Sequence, residues 1–158
     1  MTPDPPPVSL YLAQKAIPHQ VFIHPVPLHS LEQAAEERGQ RPEQIVRSIL
    51  FRISKGKYVM VLMAGPAQIN WKTLRKSLGA NRLTMASKDE VLNVTGYQLG
   101  AVAPFALAQP IKIFVDHSVL KQKIISIGSG IRGTAIILKS ADMIQALVDY
   151  EIGNFGNA

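Results

Sequence analysis

The sequence contains no cysteine, which excludes a disulfide scaffold, a thiol nucleophile and any thiolate metal site. Aromatic residues make up only 6%, too few for a platform that stacks single-stranded bases. No apolar run approaches the ~18 residues of a membrane span. The stretch Met1–Ser9 lacks the basic and apolar regions of a secretory leader. Metal-helix spacing of the H-E-x-x-H kind is absent from His19, His24, His29 and His117, so a metal is not expected. The expectation is a single cytoplasmic domain of 158 residues with 47% apolar content.

A further absence is local. Between residues 46 and 88 there is no acid, while Arg47, Arg52, Lys55, Lys57, Lys72, Arg75, Lys76, Arg82 and Lys88 supply positive charge. The flanking regions are slightly acidic, so the overall +6 comes from this stretch. Such a field source attracts polyanions. Plain solubilisation of a surface is the alternative reading.

Along the chain, residues 1–7 predict an extended Pro-rich arm, 8–152 a folded domain and 153–158 a frayed tail. Helical spacing starts at Val8, with a short strand over Gln20–Ile23. Ser30 with Gln33 and Ser87 with Glu90 form capping-box patterns, and Asn70 and Ser140 are further N-cap candidates. Runs 46–53 and 57–64, joined by Ser54-Lys55-Gly56, predict a hairpin. Strands are expected over 111–115, 123–127 and 134–138, and a last helix with Ile144, Leu147 and Val148 inward. Met60, Met63 and Met85 read as core fillers. The plan is α+β, with a mainly antiparallel sheet rather than a βαβ repeat.

Arg47 draws attention because strand alternation places it on one face with Ile49, Phe51 and Ile53. A guanidinium there needs an anion, a carbonyl or a route to water. It either snorkels from the strand end or meets a carboxylate such as Asp116, or it holds a phosphate or carbonyl oxygen at the mouth of a cleft. Gly128-Ser129-Gly130-Ile131-Arg132-Gly133 matches G-x-G-x-x-G, but the β-branched run that follows is a strand where a dinucleotide fold needs a helix. The glycines therefore read as a tight connection whose N–H groups could still bind an oxyanion. His24 flanks a Pro-rich loop and is a pocket candidate, and Asp116 reads as a cap.

Thr95-Gly96-Tyr97 followed by Gly100-Ala101-Val102-Ala103-Pro104 resembles the signature of the YbaK/EbsC family, relatives of the editing domain of bacterial prolyl-tRNA synthetases. The match extends through Ile113–Asp116, Gly128–Gly133 and the closing Leu138–Val148 segment, with Pro42–Phe51 upstream. This resemblance implies a twisted, mainly antiparallel, partly barrel-like sheet with surrounding helices. It implies hydrolysis of mischarged aminoacyl-tRNA without metal or cofactor, with the tRNA acceptor end as partner and an aminoacyl-tRNA synthetase as a second candidate. By the same resemblance, the loop Gly100–Pro104 offers backbone groups to the aminoacyl moiety, and Arg47 stands where the family carries a strand Lys. Gly100 and Arg47 are then the catalytic candidates. Ala101, Val102, Ala103, Pro104, His24, Gly128, Ser129 and Gly130 would bind substrate, and Lys72, Arg75 and Lys76 the tRNA. Alanine, serine or cysteine is the expected amino acid. Arg47 keeps the charge of that Lys but cannot act as a base, so a binding module without turnover is the rival. A protein using the old cleft for another small anion is a third reading.

Overall fold

The hairpin predicted between residues 46 and 64 is the spine of the fold. In the computed structural model, which describes residues 4–157, β2 (Val46–Ser54) pairs antiparallel with β3 (Lys57–Ala64), placing Arg47 opposite Met63 and Leu50 opposite Met60. Alternation sends Val46 and Leu50 into the main core and Phe51, with Ile49 and Ile53 around it, into a second cluster on the opposite face. Both faces are covered, which is why β3 reads as one nearly unbroken apolar run.

β2 also pairs with the short β4 (Thr84–Met85). On the other side β3 pairs parallel with β5 (Lys112–Asp116), and β5 pairs parallel with β8 (Tyr150–Gly153). The five-stranded order is β4-β2-β3-β5-β8. A second sheet runs β1-β7-β6, from β1 (Gln20–Ile23), β7 (Thr134–Lys139) and β6 (Ile124–Gly128), antiparallel throughout. Ile45 and Ser126 form a parallel bridge between the two sheets. The barrel character goes no further than this seam, and the sheets do not close. Antiparallel pairing predominates, as expected, but the two parallel ladders were not foreseen.

Helices pack around these sheets. α1 (Pro7–Gln14), α4 (Lys88–Thr95) and α6 (Ser140–Ala146) cover the main core with Val8, Leu12, Val91, Val94 and Met143. α3 (Trp71–Leu78) drops Leu74 into the second cluster, with Trp71 edge-on to Phe51. α2 (Leu31–Arg38) packs Ala34 and Ala35 on Ile45, and α5 (His117–Leu120) follows β5. The expected caps at Ser30, Asn70 and Ser87 all accept the predicted N–H bonds.

Four expectations fail, two through a tertiary partner and two because the side chain is left exposed. Ser140 does not cap α6; its hydroxyl donates to the Gln122 carbonyl at 2.6 Å. Val148 is 85% exposed, because the helix ends at Ala146 and the chain turns outward toward β8. Met85 is exposed on the edge strand β4 rather than in the core. The tail is tied down as well: Phe155 is buried and its N–H donates to the Asp116 carboxylate at 2.7 Å. Beyond it Gly156 bridges Ile69 and the Asn157 N–H reaches the Gln68 carbonyl. Of the Pro-rich arm, residues 1–3 lie outside the described residues, but Pro6 is buried and Pro7 opens α1, a position where a missing N–H costs nothing.

Candidate active site

Two glycine-containing loops interlock to make one wall of a cleft. The first begins where α4 stops. Thr95 Oγ1 donates to the Val91 carbonyl at 2.6 Å and accepts from the Tyr97 N–H at 3.0 Å. Gly96 takes the left-handed conformation that ends the helix. The Tyr97 ring is buried, and its hydroxyl lies 2.6 Å from the Phe105 carbonyl oxygen and 2.9 Å from that of Ala106. Burial pushes this phenol up to about 12, so it stays a donor. The T-G-Y element therefore pins both ends of the Gly100–Pro104 loop.

The second loop, Gly128–Gly133, grips the first. A Cβ on Gly128 would sit 2.1 Å from the Val102 carbonyl oxygen, and one on Gly130 would meet the Tyr97 ring at 2.8 Å. The Gly130 N–H donates to the Ala101 carbonyl at 3.0 Å, and Arg132 Nε donates to the Leu99 carbonyl at 3.0 Å. Ser129 is fully buried, its hydroxyl accepting from the Ile131 N–H and touching Thr134 Oγ1. These glycines serve close backbone approach, and β7 follows them directly, as the rejection of a dinucleotide fold requires.

The cleft between these loops and the start of β2 holds about 230 Å³ and is lined by Arg38, Arg47, Ser48, Gly100, Val102 and Gly128 among others. Of the expected site residues it thus unites Arg47, Gly100, Val102 and Gly128. Ala101, Ala103 and Ser129 are buried behind it, Gly130 holds the Ala101 carbonyl, and Pro104 lines a separate depression with Tyr11. Lys72, Arg75 and Lys76 lie on α3, outside the cleft lining.

Arg47 lines the cleft, but its guanidinium turns to the protein's own backbone. Nε donates to the Gly65 carbonyl at 2.8 Å and Nη2 to that of Ala67. Of the partners its strand position left open (an anion, a carbonyl or water), it has taken the carbonyls of a neighbouring loop, while Asp116 accepts from the Ser118 and Phe155 N–H groups instead. Burial holds its pKa below the usual arginine range.

Sequence reasoning missed a second cation. Arg38, in the last turn of α2, donates from Nε to His24 Nε2 at 3.0 Å and from Nη1 to the Ser126 hydroxyl at 2.8 Å. Since His24 Nε2 accepts, its proton sits on Nδ1, 2.8 Å from Glu37. His24 is 8% exposed with both ring nitrogens engaged, so it reaches the cleft only through Arg38. The hydrogen bond to His24 is the main reason the Glu37 carboxyl lies below its ordinary pKa. Burial brings Arg38 down to about 10. One signal was available: Arg38 stands four residues after buried Ala34, on the inward stripe of α2.

A family profile for the aminoacyl-tRNA editing domain matches residues 25–146. The chain belongs to the aminoacyl-tRNA editing domain family. An uncharacterized protein of Bacillus subtilis, YwhH, is 32% identical over 116 residues, 73% of each chain. A proline–tRNA ligase of Kosmotoga olearia is 34% identical over 92 residues, 58% of this chain but only 16% of the ligase. Among solved structures, a candidate trans-editing enzyme for prolyl tRNA synthetase superposes with a TM-score of 0.80 at 21% identity, covering 89% of this chain and 87% of its own. A hypothetical protein superposes at 0.86 with 21% identity over 95% of this chain and 99% of its own. These two share the editing-domain fold described above. No helix among the described residues is long and apolar enough to cross a membrane, and no cluster of metal-ligating side chains is found among them.

Proposed function

We propose that this editing domain hydrolyses, in trans, the ester joining a small amino acid to the 3′ end of tRNA. The observation that carries the reading is the cleft of about 230 Å³ between β2 and the two interlocked loops. That volume is below the range of pockets for drug-sized ligands, so it suits a short side chain such as that of alanine, serine or cysteine. Discrimination is steric, because one methylene in an apolar pocket is worth only ~1–3 kcal/mol. Water adds to the aminoacyl carbonyl, the ester C–O bond breaks, and the departing ribose oxygen takes up a proton. With Arg47 engaged by Gly65 and Ala67, and the Ala101 N–H taken by the Gln98 carbonyl, the developing oxyanion falls to the backbone N–H groups of Gly100 and Val102. The likeness to proline–tRNA ligase and to a prolyl trans-editing candidate favours a proline tRNA carrying the wrong amino acid as the first substrate to try, in the cytoplasm and near a synthetase.

Single-turnover hydrolysis of alanyl-, seryl- and cysteinyl-tRNA tests this, with Arg47→Lys alongside the wild type. Release of one amino acid well above the spontaneous rate is the expected result. The engaged guanidinium of Arg47 favours a second reading, a tRNA-binding module without turnover. That reading requires a silent wild type and an Arg47→Lys variant that cleaves.

A further inference from the structure

We infer that Arg38 is the substrate-facing cation of the cleft and that it holds a phosphodiester oxygen of the tRNA 3′ end. The inference rests on the editing reading for the identity of the ligand, but its geometry stands apart from it. Two arginines line the cleft. Arg47 has Nε and Nη2 on carbonyls of the segment Gly65–Ala67, so it secures that loop. Among the described residues, Arg38 has no carboxylate in contact. Its Nε meets an imidazole nitrogen that must be unprotonated, and its Nη1 meets a hydroxyl. Glu37 lies one residue farther along the network, bonded to the opposite edge of His24. A half-buried guanidinium whose partners are all neutral keeps its demand for an anion.

The scaffolding supports that role. Glu37 orients His24, His24 and Ser126 orient Arg38, and Ser126 sits at the seam where the two sheets meet. The guanidinium is thus fixed by α2, β1's downstream loop and β6 together. The same cleft holds an independent sign of a missing partner. The Ser48 hydroxyl is buried and has no hydrogen-bond partner among the described residues. Buried polar atoms in native proteins are seldom left so. A ligand that brings a phosphate to Arg38 and a ribose or phosphate oxygen to Ser48 satisfies both. Phosphate matches the planar fork of arginine.

The probe is the 5′-phosphorylated trinucleotide pCpCpA, binding measured by calorimetry at several salt concentrations. Arg38→Gln should weaken binding about tenfold and reduce the salt slope by about 0.7. Arg38→Lys should keep the slope and recover part of the affinity, whereas Arg41→Gln, at an exposed cation outside the cleft lining, should change binding less than twofold. Where an aminoacyl-tRNA is cleaved, Arg38→Gln should raise KM with kcat nearly unchanged. Wild-type affinity in Arg38→Gln overturns the inference, and so does a loss in Arg41→Gln equal to that in Arg38→Gln. A fall in kcat with intact trinucleotide binding overturns the phosphate assignment. If Arg38→Gln unfolds, Arg38→Lys decides: the inference fails unless affinity drops while the slope stays. A wild type that binds pCpCpA in the expected pattern yet releases no amino acid keeps the Arg38 site and rejects the deacylase.

Discussion

The walls of the cleft and the basic stretch from residue 46 to 88 follow opposite designs. The walls are built from main chain: loops that hold each other through carbonyls, N–H groups and glycines too close for a Cβ. The basic stretch beyond Arg47 is built mostly from exposed side chains, many on α3 and the hairpin end, and among the described residues Arg52 alone of its eight cations makes an ion pair, with Glu90 at 3.1 Å. One region sets shape to fractions of an ångström, while the other sets a long-range field that tolerates motion. On the proposed function, capture of a polyanion and selection of a small side chain would sit in different parts of the fold, and each could be altered without the other.

Gly128→Ala should break the cleft side most severely. The added methyl would have to displace the Val102 carbonyl. The expected cost is about 3 kcal/mol in stability and about a hundredfold in single-turnover rate, read by denaturant unfolding and deacylation. Tyr97→Phe removes the donor beneath the Phe105 and Ala106 carbonyls and should cost about 1–3 kcal/mol. A Tyr97→Phe protein as stable as wild type would mean that the loop does not depend on this anchor. On the basic side, replacing Lys72, Arg75 and Lys76 together by Gln should lower the salt slope of tRNA binding by up to about 2 and leave stability within about 0.5 kcal/mol. An unchanged slope would move the tRNA body to another face.

The smallest effect sharpens the boundary between the two regions. The Glu90 carboxyl is held down to about 2, chiefly by the Ser87 N–H and then by the Tyr58 hydroxyl. Its folded-state pKa is depressed, so its stabilisation is present above the unfolded value of 4.5 and is lost as pH falls toward 2. Glu90→Gln should therefore melt below wild type at pH 7, and the two should converge as pH drops through that window. A gap that persists at pH 2 would assign the effect to packing.

What the sequence disclosed depended on distance along the chain. The hairpin at Ser54–Gly56 and the caps at Ser30, Asn70 and Ser87 rest on contacts within a few residues, and they formed as read. The face occupied by Arg47 was also legible, since alternation alone decides it. The destination of its guanidinium was not, because only the folded sheet brings Gly65 and Ala67 into reach. Arg38 was missed because only the folded sheet brings Ser126 of β6 to it from far along the chain. β8 escaped notice because Tyr-Glu-Ile-Gly is short and carries no alternation strong enough to mark a strand. The glycines of 128–133 were read correctly as a tight connection, but the carbonyl they must clear belongs to a loop that no local pattern points to.

The pairing of β1 with β7 joins Gln20 to Ile137, and it bears on the order in which the molecule assembles. The β2–β3 hairpin can form as soon as Ala64 is available. The cleft needs His24 and Arg38 from one end of the chain, Ser126 and Gly128 from the other, and a sheet that spans nearly everything between. Closing so large a loop is slow relative to local structure. During vectorial synthesis the basic stretch therefore emerges before any cleft exists, although α3 completes its packing only when Phe114 and Phe155 arrive. On the proposed function, a nascent chain that stops short of Lys139 would carry the charge that draws RNA but lack the chamber in which to act on it.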